Sequence, residues 1–179
     1  MRLAMLLVVV VALAAPVAAF ADGAPTPYSV ANQICKQAQA TMLAADFAKA
    51  YGTNATRSNA FGKCVAAHAV AATQDVSNAA KTCKTQQADT NFATAHDGKT
   101  FNQFYGSTTS QGKSSGANAF GKCVSQAASA AAATQAAAVT SAAKSCKAAL
   151  KASAKDFATK YGTGRNAYGK CVAATSKTK

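Results

Sequence analysis

The chain carries 179 residues, with 19 Lys and Arg against 6 acidic residues, all of them Asp, for a formal net charge of +13. Half of it is hydrophobic by residue type, yet only 7% is aromatic and Trp is absent. Alanine supplies most of the apolar content, so a core of large side chains is excluded, and the absence of Glu argues against paired-carboxylate catalysis.

The first element reads as an export signal. Arg2 gives a positive start, Leu3 to Leu13 is an unbroken apolar run, and Ala19-Phe20-Ala21 fits a small-x-small cleavage site before Asp22. Residues 1–21 are therefore expected to be removed, and residues 22–27, D-G-A-P-T-P, to form a short linker. Removal takes one of the 19 basic residues, Arg2, and leaves 18 against 6 acidic ones, a net charge of +12. A surface this positive attracts polyanions. Its bland alternative is lysine serving only to keep an Ala-rich protein in solution.

No Pro follows residue 27, Ala dominates, and β-branched runs are missing. The expected fold class is all-α. Thr26 is the expected N-cap of the first helix, with Pro27 at its first position. Two long helices are expected over about Asn59–Thr85 and about Asn118–Ala152. On the first, Val65, Ala69, Ala72, Val76, Ala79 and Cys83 form a narrow apolar seam of coiled-coil type. On the second, the seam is Ala128, Ala132, Gln135, Val139, Ala142 and Cys146. Val124 to Ala143 is uncharged, but its seven Ser, Thr and Gln residues make it a poor membrane span.

One motif recurs three times. N-A-F-G-K-C-V stands at Asn59–Val65 and Asn118–Val124, and N-A-Y-G-K-C-V at Asn166–Val172. Each copy follows F-x-x-x-Y-G, at Phe47–Gly52, Phe101–Gly106 and Phe157–Gly162, and each of those follows a C-K pair. Three repeats result, over residues 28–65, 76–124 and 139–172, in one continuous helical array. Phe and Tyr at i and i+4 share a helix face, and with the ring of N-A-[FY]-G they form each repeat's expected core. Gly52, Gly106 and Gly162 are expected to end helices at positive φ, and Asn59, Asn118 and Asn166 to cap the helices that follow. Asp46 and Asp156 read as helix-start acids, and Ser153 as a cap. The Ser/Thr/Gly-rich loop over residues 107–117 is the expected flexible tip.

Six Cys in an exported chain read as disulfides. Cys64 and Cys83 lie about 28 Å apart along one expected helix, and Cys123 and Cys146 about 34 Å apart along the other. A disulfide needs Cα atoms within about 7 Å. Pairing along a shared helix is thereby excluded, and the expected bridges are Cys35–Cys64, Cys83–Cys123 and Cys146–Cys171.

Lys63, Lys122 and Lys170 fall in the first turn of the motif helices, where a cation opposes the helix dipole. An unfavourable choice made three times marks them as candidate anion-binding residues, acting with helix-start amides. The alternative is a lysine stem laid over the ring cluster. The motif lacks the spacing of a nucleotide loop. Neither histidine, His68 or His96, recurs between repeats. Cys64 and His68 at i and i+4 would suit a metal only if the thiol were free. No catalytic residue, metal or cofactor is expected, and no nucleic-acid motif is present.

The pattern C-K…F-x-x-x-Y-G-T-N…N-A-F-G-K-C-V resembles modules of secreted, Ala-rich proteins of high-GC bacteria, a group without an assigned function. The similarity covers most of residues 28–179. It implies export and disulfide bonding and carries over no site residue. The middle repeat departs from it by insertions in both loops. The expected function is that of an exported, non-enzymatic cationic repeat protein, secreted or held at the cell envelope, binding an anionic polymer or envelope surface or serving a structural role there. One alternative is a membrane-active protein of toxin or antimicrobial type, which needs helices with large apolar faces. The other is a small secreted hydrolase, which needs an acid/base set that the sequence does not repeat. No transmembrane segment is expected in the mature chain.

Overall fold

The structure, a computed structural model, describes residues 23–107 and 116–177. The expected signal segment and most of the middle loop, residues 108–115, lie outside the described residues. Eight helices follow in chain order: α1 Pro27–Thr41, α2 Ala44–Tyr51, α3 Ala60–Ala88, α4 Phe92–Ala95, α5 Phe101–Tyr105, α6 Ala119–Ala152, α7 Ala154–Tyr161 and α8 Ala167–Ser176. No strand occurs among the described residues.

Helix α1 opens as the sequence implies. The Thr26 hydroxyl accepts a hydrogen bond from the Ser29 amide at 3.1 Å, and Pro27 occupies the first turn. Helices α3 and α6 run antiparallel. The disulfide Cys83–Cys123 joins the end of one to the start of the other, and Gln135 reaches Asp75 between their middles. Helix α1 runs parallel to α6, since Gln33 meets Ser129 and Thr41 meets Thr140. These three helices pack on one another. Helix α8 packs on α6 and α2, and α2 packs on α3.

The seam of α6 is buried at Ala128, Ala132, Val139, Ala142 and Cys146, and Gln135 is half-buried. The seam is wider than expected, with Ala136 and Ala143 also buried, because α6 packs against α1, α3 and α8 rather than one partner. On α3 the seam departs from expectation at one position. Ala69 is exposed, and His68 turns inward instead. At about 100° per residue, residues 68 and 69 lie on opposite flanks of the seam, each about 50° from its centre. His68 takes the covered flank, where its Nε2 meets the Tyr51 hydroxyl of α2.

The disulfides are Cys35–Cys64, Cys83–Cys123 and Cys146–Cys171, with Cα–Cα distances of 5.9, 5.9 and 6.0 Å. Each ties one main helix to the beginning of the next, and none joins two cysteines of one helix. The short helices carry the rings. Phe47, Phe101 and Phe157 are buried, and each stands about 5 Å from the Tyr four residues on. Tyr168 is buried too and donates its hydroxyl hydrogen to the Ala143 carbonyl at 2.8 Å. Phe61 and Phe120 are half-buried against the core. Ser153 caps α7 by accepting from the Asp156 amide, and Asp46 and Asp156 occupy first turns.

Two local expectations are corrected. Asn59, Asn118 and Asn166 precede their helices, but none forms a side-chain cap. The chain enters each helix through a tight turn, closed by Ala60 N–H to Arg57 O, Ala119 N–H to Gly116 O and Ala167 N–H to Gly164 O. Asn59 and Asn166 then hold turn-like dihedrals (φ −85°, ψ 8° and φ −91°, ψ 0°) and Asn118 a left-handed one (φ 59°), not the extended backbone a side-chain cap needs. The Asn59 side chain instead accepts from the Thr53 amide at 3.0 Å and donates to the Thr53 hydroxyl at 2.8 Å, closing the loop before α3. The second correction concerns glycine. Gly162 has φ 91°, but Gly52 and Gly106 have φ −70° and −67°. Their requirement is space. A Cβ on Gly52 would lie 2.5 Å from Arg57 Cβ, and one on Gly106 would collide with Asn102 O.

Peptide mapping without reduction should recover the three bridges; Cys146 or Cys171 joined to Cys64 or Cys83 would refute them. Removing the bridge with the longest loop, 40 residues, through Cys83→Ala with Cys123→Ala should cost about 4 kcal/mol in denaturant unfolding. Ala72 is fully buried on the α3 seam, so Ala72→Leu should cost about 1–3 kcal/mol by overpacking.

Candidate functional site

A half-buried polar arrangement grows from the inward turn of His68. Tyr51 ends α2 and lies beside α3, so its hydroxyl meets His68 Nε2 at 3.0 Å. The Gln135 side chain on α6 lies near His68 and acts on its titration. The Gln135 amide nitrogen donates to Asp75 Oδ2 at 2.5 Å, back on α3. The Tyr51 hydroxyl and His68 Nε2 share one hydrogen, carried by either partner according to the imidazole tautomer.

Burial sets the titration of this chain of groups. It pushes the Tyr51 hydroxyl up to about 12. It lowers the His68 pKa, against the opposing pull of the Gln135 bond and the Asp75 charge. It raises the Asp75 carboxyl, an effect that the nearby His68 charge reduces. The hydroxyl resists ionisation. The set ties α2, α3 and α6 together.

The network stands at one side of a cleft of about 490 Å3 between α2, α3, α6 and α8. Ala67, Ala71 and Ala138 give it smooth apolar walls, and Lys63 and Lys177 lie at its lining with Tyr51, His68 and Gln135. Gly169 allows α8 to seat on α2, since a Cβ there would collide with Ala50 O.

The three repeated lysines do not converge. Lys63 lines this cleft, Lys122 lies beside Phe104 and Tyr105, and Lys170 is exposed on α8. Their own amides already close the first helical bonds, to Asn59, Asn118 and Asn166 carbonyls at 2.9–3.0 Å. Any anion held there would use the side-chain amines and the amides one and two residues earlier. Cys64 is bonded to Cys35, which removes it as a thiolate partner for His68. His96 stacks on Phe92 at 3.8 Å and its Nδ1 bonds the Phe92 carbonyl, so it belongs to the ring cluster of the middle repeat.

The surface is strongly one-signed. Every described lysine is exposed, and the one ion pair among the described residues is Lys147–Asp46 at 2.9 Å. No helix among them is long and apolar enough to cross a membrane. Sequence reasoning missed the Tyr51–His68–Gln135–Asp75 chain because its members are scattered and unrepeated. The one available signal was Gln135 standing alone on an otherwise apolar seam. Comparison with family models, curated proteins and solved structures finds no match.

The pH dependence of stability follows from His68. Its native pKa lies below the ordinary 6.5, so the unfolded chain takes up the proton first as pH falls. The stability contributed by neutral His68 is complete above about 6.5 and is lost as pH drops through that value towards the lowered native one. Asp75, raised, contributes with the opposite sign and nearer the carboxylate range. The melting midpoint should therefore fall between pH 7.5 and 5.5, and His68→Gln should flatten that slope. An unchanged slope in the variant would place the loss elsewhere.

Proposed function

We propose that this is an exported, non-enzymatic protein that binds anionic polymer at or outside the cell envelope through its lysine surface. The observation that carries the reading is the uncompensated charge: exposed lysines on every main helix, against a single ion pair among the described residues. Lysine amines on flexible stems suit diffuse attraction to a repeating polyanion more than recognition of one geometry. Disulfides at the helix ends suit an oxidising compartment, where such bridges persist. The resemblance to secreted Ala-rich bacterial modules agrees with that compartment. The membrane-active alternative finds less support, since the exposed helix faces are built from Ala, Lys, Ser and Thr, with few exposed large apolar residues such as Val70 and Leu150.

The test is retention on immobilised polyanions, with anionic vesicles and a neutral polymer as controls, across a salt series. Affinity should fall roughly tenfold for every two phosphate-type contacts between about 50 and 200 mM salt. Retention that ignores salt would overturn the proposal. The triple variant Lys63→Gln, Lys122→Gln, Lys170→Gln should weaken binding more than Lys81→Gln, Lys84→Gln, Lys99→Gln. Equal losses would leave the charge acting diffusely, with no privileged role for the repeated lysines.

A further inference from the structure

Arginine is scarce in this chain, at Arg2, Arg57 and Arg165 only. The two that follow the expected signal lie 108 residues apart, in the equivalent loops of the first and third repeats, between Y-G and N-A. The fold brings both to one cavity of about 430 Å3, where α2 and the end of α6 meet α7 and the start of α8. Lys49 and Lys147 line it as well, and Asp46 is its one carboxylate. Asp46 is already paired with Lys147.

Arg57 is held there at a cost. Its backbone sits at φ 59°, a left-handed conformation that disfavours a residue with a Cβ. Gly52 makes room for it, because any side chain on Gly52 would collide with the Arg57 Cβ. The guanidinium donates to Ala48 O and to Arg165 O, both at 3.4 Å. Those contacts fix its plane and tie it to the loop carrying the second arginine. A guanidinium has further N–H donors in a planar fork. They remain for a ligand.

We infer that this cavity is a binding site for a tetrahedral oxyanion, a phosphate or sulfate group on a compact organic body. A planar fork matches two oxygens of such a group at once, which a lysine amine does not. In a chain that uses lysine almost everywhere else, both arginines meet at this place. Four cations face one paired carboxylate. Phe157, Leu150 and Tyr168 give the cavity apolar walls against which the body carrying the anion would rest. The site rests on the polyanion reading above and gives it a specific seat: one ester group of the polymer enters here, while the surface lysines act on its neighbours.

The test is an NMR titration of the ¹⁵N-labelled, disulfide-intact mature chain at constant ionic strength, with inorganic phosphate, inorganic sulfate and, as a control, chloride. Saturable shifts confined to Arg57 and the loop over residues 162–167 are expected with phosphate or sulfate, and whichever binds more tightly identifies the ester. Arg165→Lys, at an exposed position, should keep the fold and weaken binding at least about tenfold. Arg57→Lys should do the same, and Lys84→Gln, remote from the cavity, should not. Linear shifts spread over all lysines, or undiminished binding in Arg165→Lys, would overturn the site. Salt-dependent polymer retention that persists unchanged in both arginine variants would also overturn it while leaving the surface reading intact. Saturable phosphate binding without polymer retention would support the cavity and count against the polymer.

Discussion

Three disulfides between successive main helices are the constraint on which this structure depends. Alanine seams allow helices to approach closely, but they remove little apolar area from water. Among the described residues the largest fully buried side chains are Ile34, four valines and four of the six cysteines. At roughly 25 cal/mol per Å2, such a core gains less per residue than one of Leu and Phe. Each bridge acts on the other side of the balance by restricting the unfolded chain. The bridges also fix geometry, since each sets one main helix against the beginning of the next.

The rings complete what the bridges begin. In each repeat a short helix presents Phe and Tyr on one face, close to the joint that a disulfide closes. Large side chains are thus confined to the joints, and the long helices between them stay smooth. That division explains why the exposed faces can be given over to lysine. It also explains the clefts: where α8 and α2 meet the Ala-walled α3 and α6, small side chains leave space that larger ones would fill.

Both polar clusters arise where repeats meet. Tyr51 and His68 come from the first repeat and the helix leaving it, Gln135 from the helix entering the third. Arg57 and Arg165 come from equivalent loops of the first and third repeats. The middle repeat, with its extra helix α4 and its cluster of Phe92, His96, Phe101, Phe104 and Tyr105, contributes to neither cavity.

The sequence by itself determined the helical class, the repeats and the cysteine pairing. Composition fixes the first, since Ala without Pro propagates helix, and self-similarity reveals the second. For the pairing, helix rise rules out Cys64 with Cys83 and Cys123 with Cys146 before any packing is known, and the break and loop inside each repeat let its own two cysteines meet. Only the tertiary structure decided the rest. Ala69 yielded its inward place to His68 because α2 covers that flank of α3 and brings the Tyr51 hydroxyl to the imidazole. Asn59 turned to its loop because the entering turn fixed its dihedrals. Gly52 proved to be a matter of room for Arg57, a neighbour that sequence places close by but whose backbone only the fold reveals. The meeting of Arg57 with Arg165, 108 residues on, depends on how α2 and α8 pack. Such contacts join residues far apart along the chain, and no local pattern of residue types encodes them.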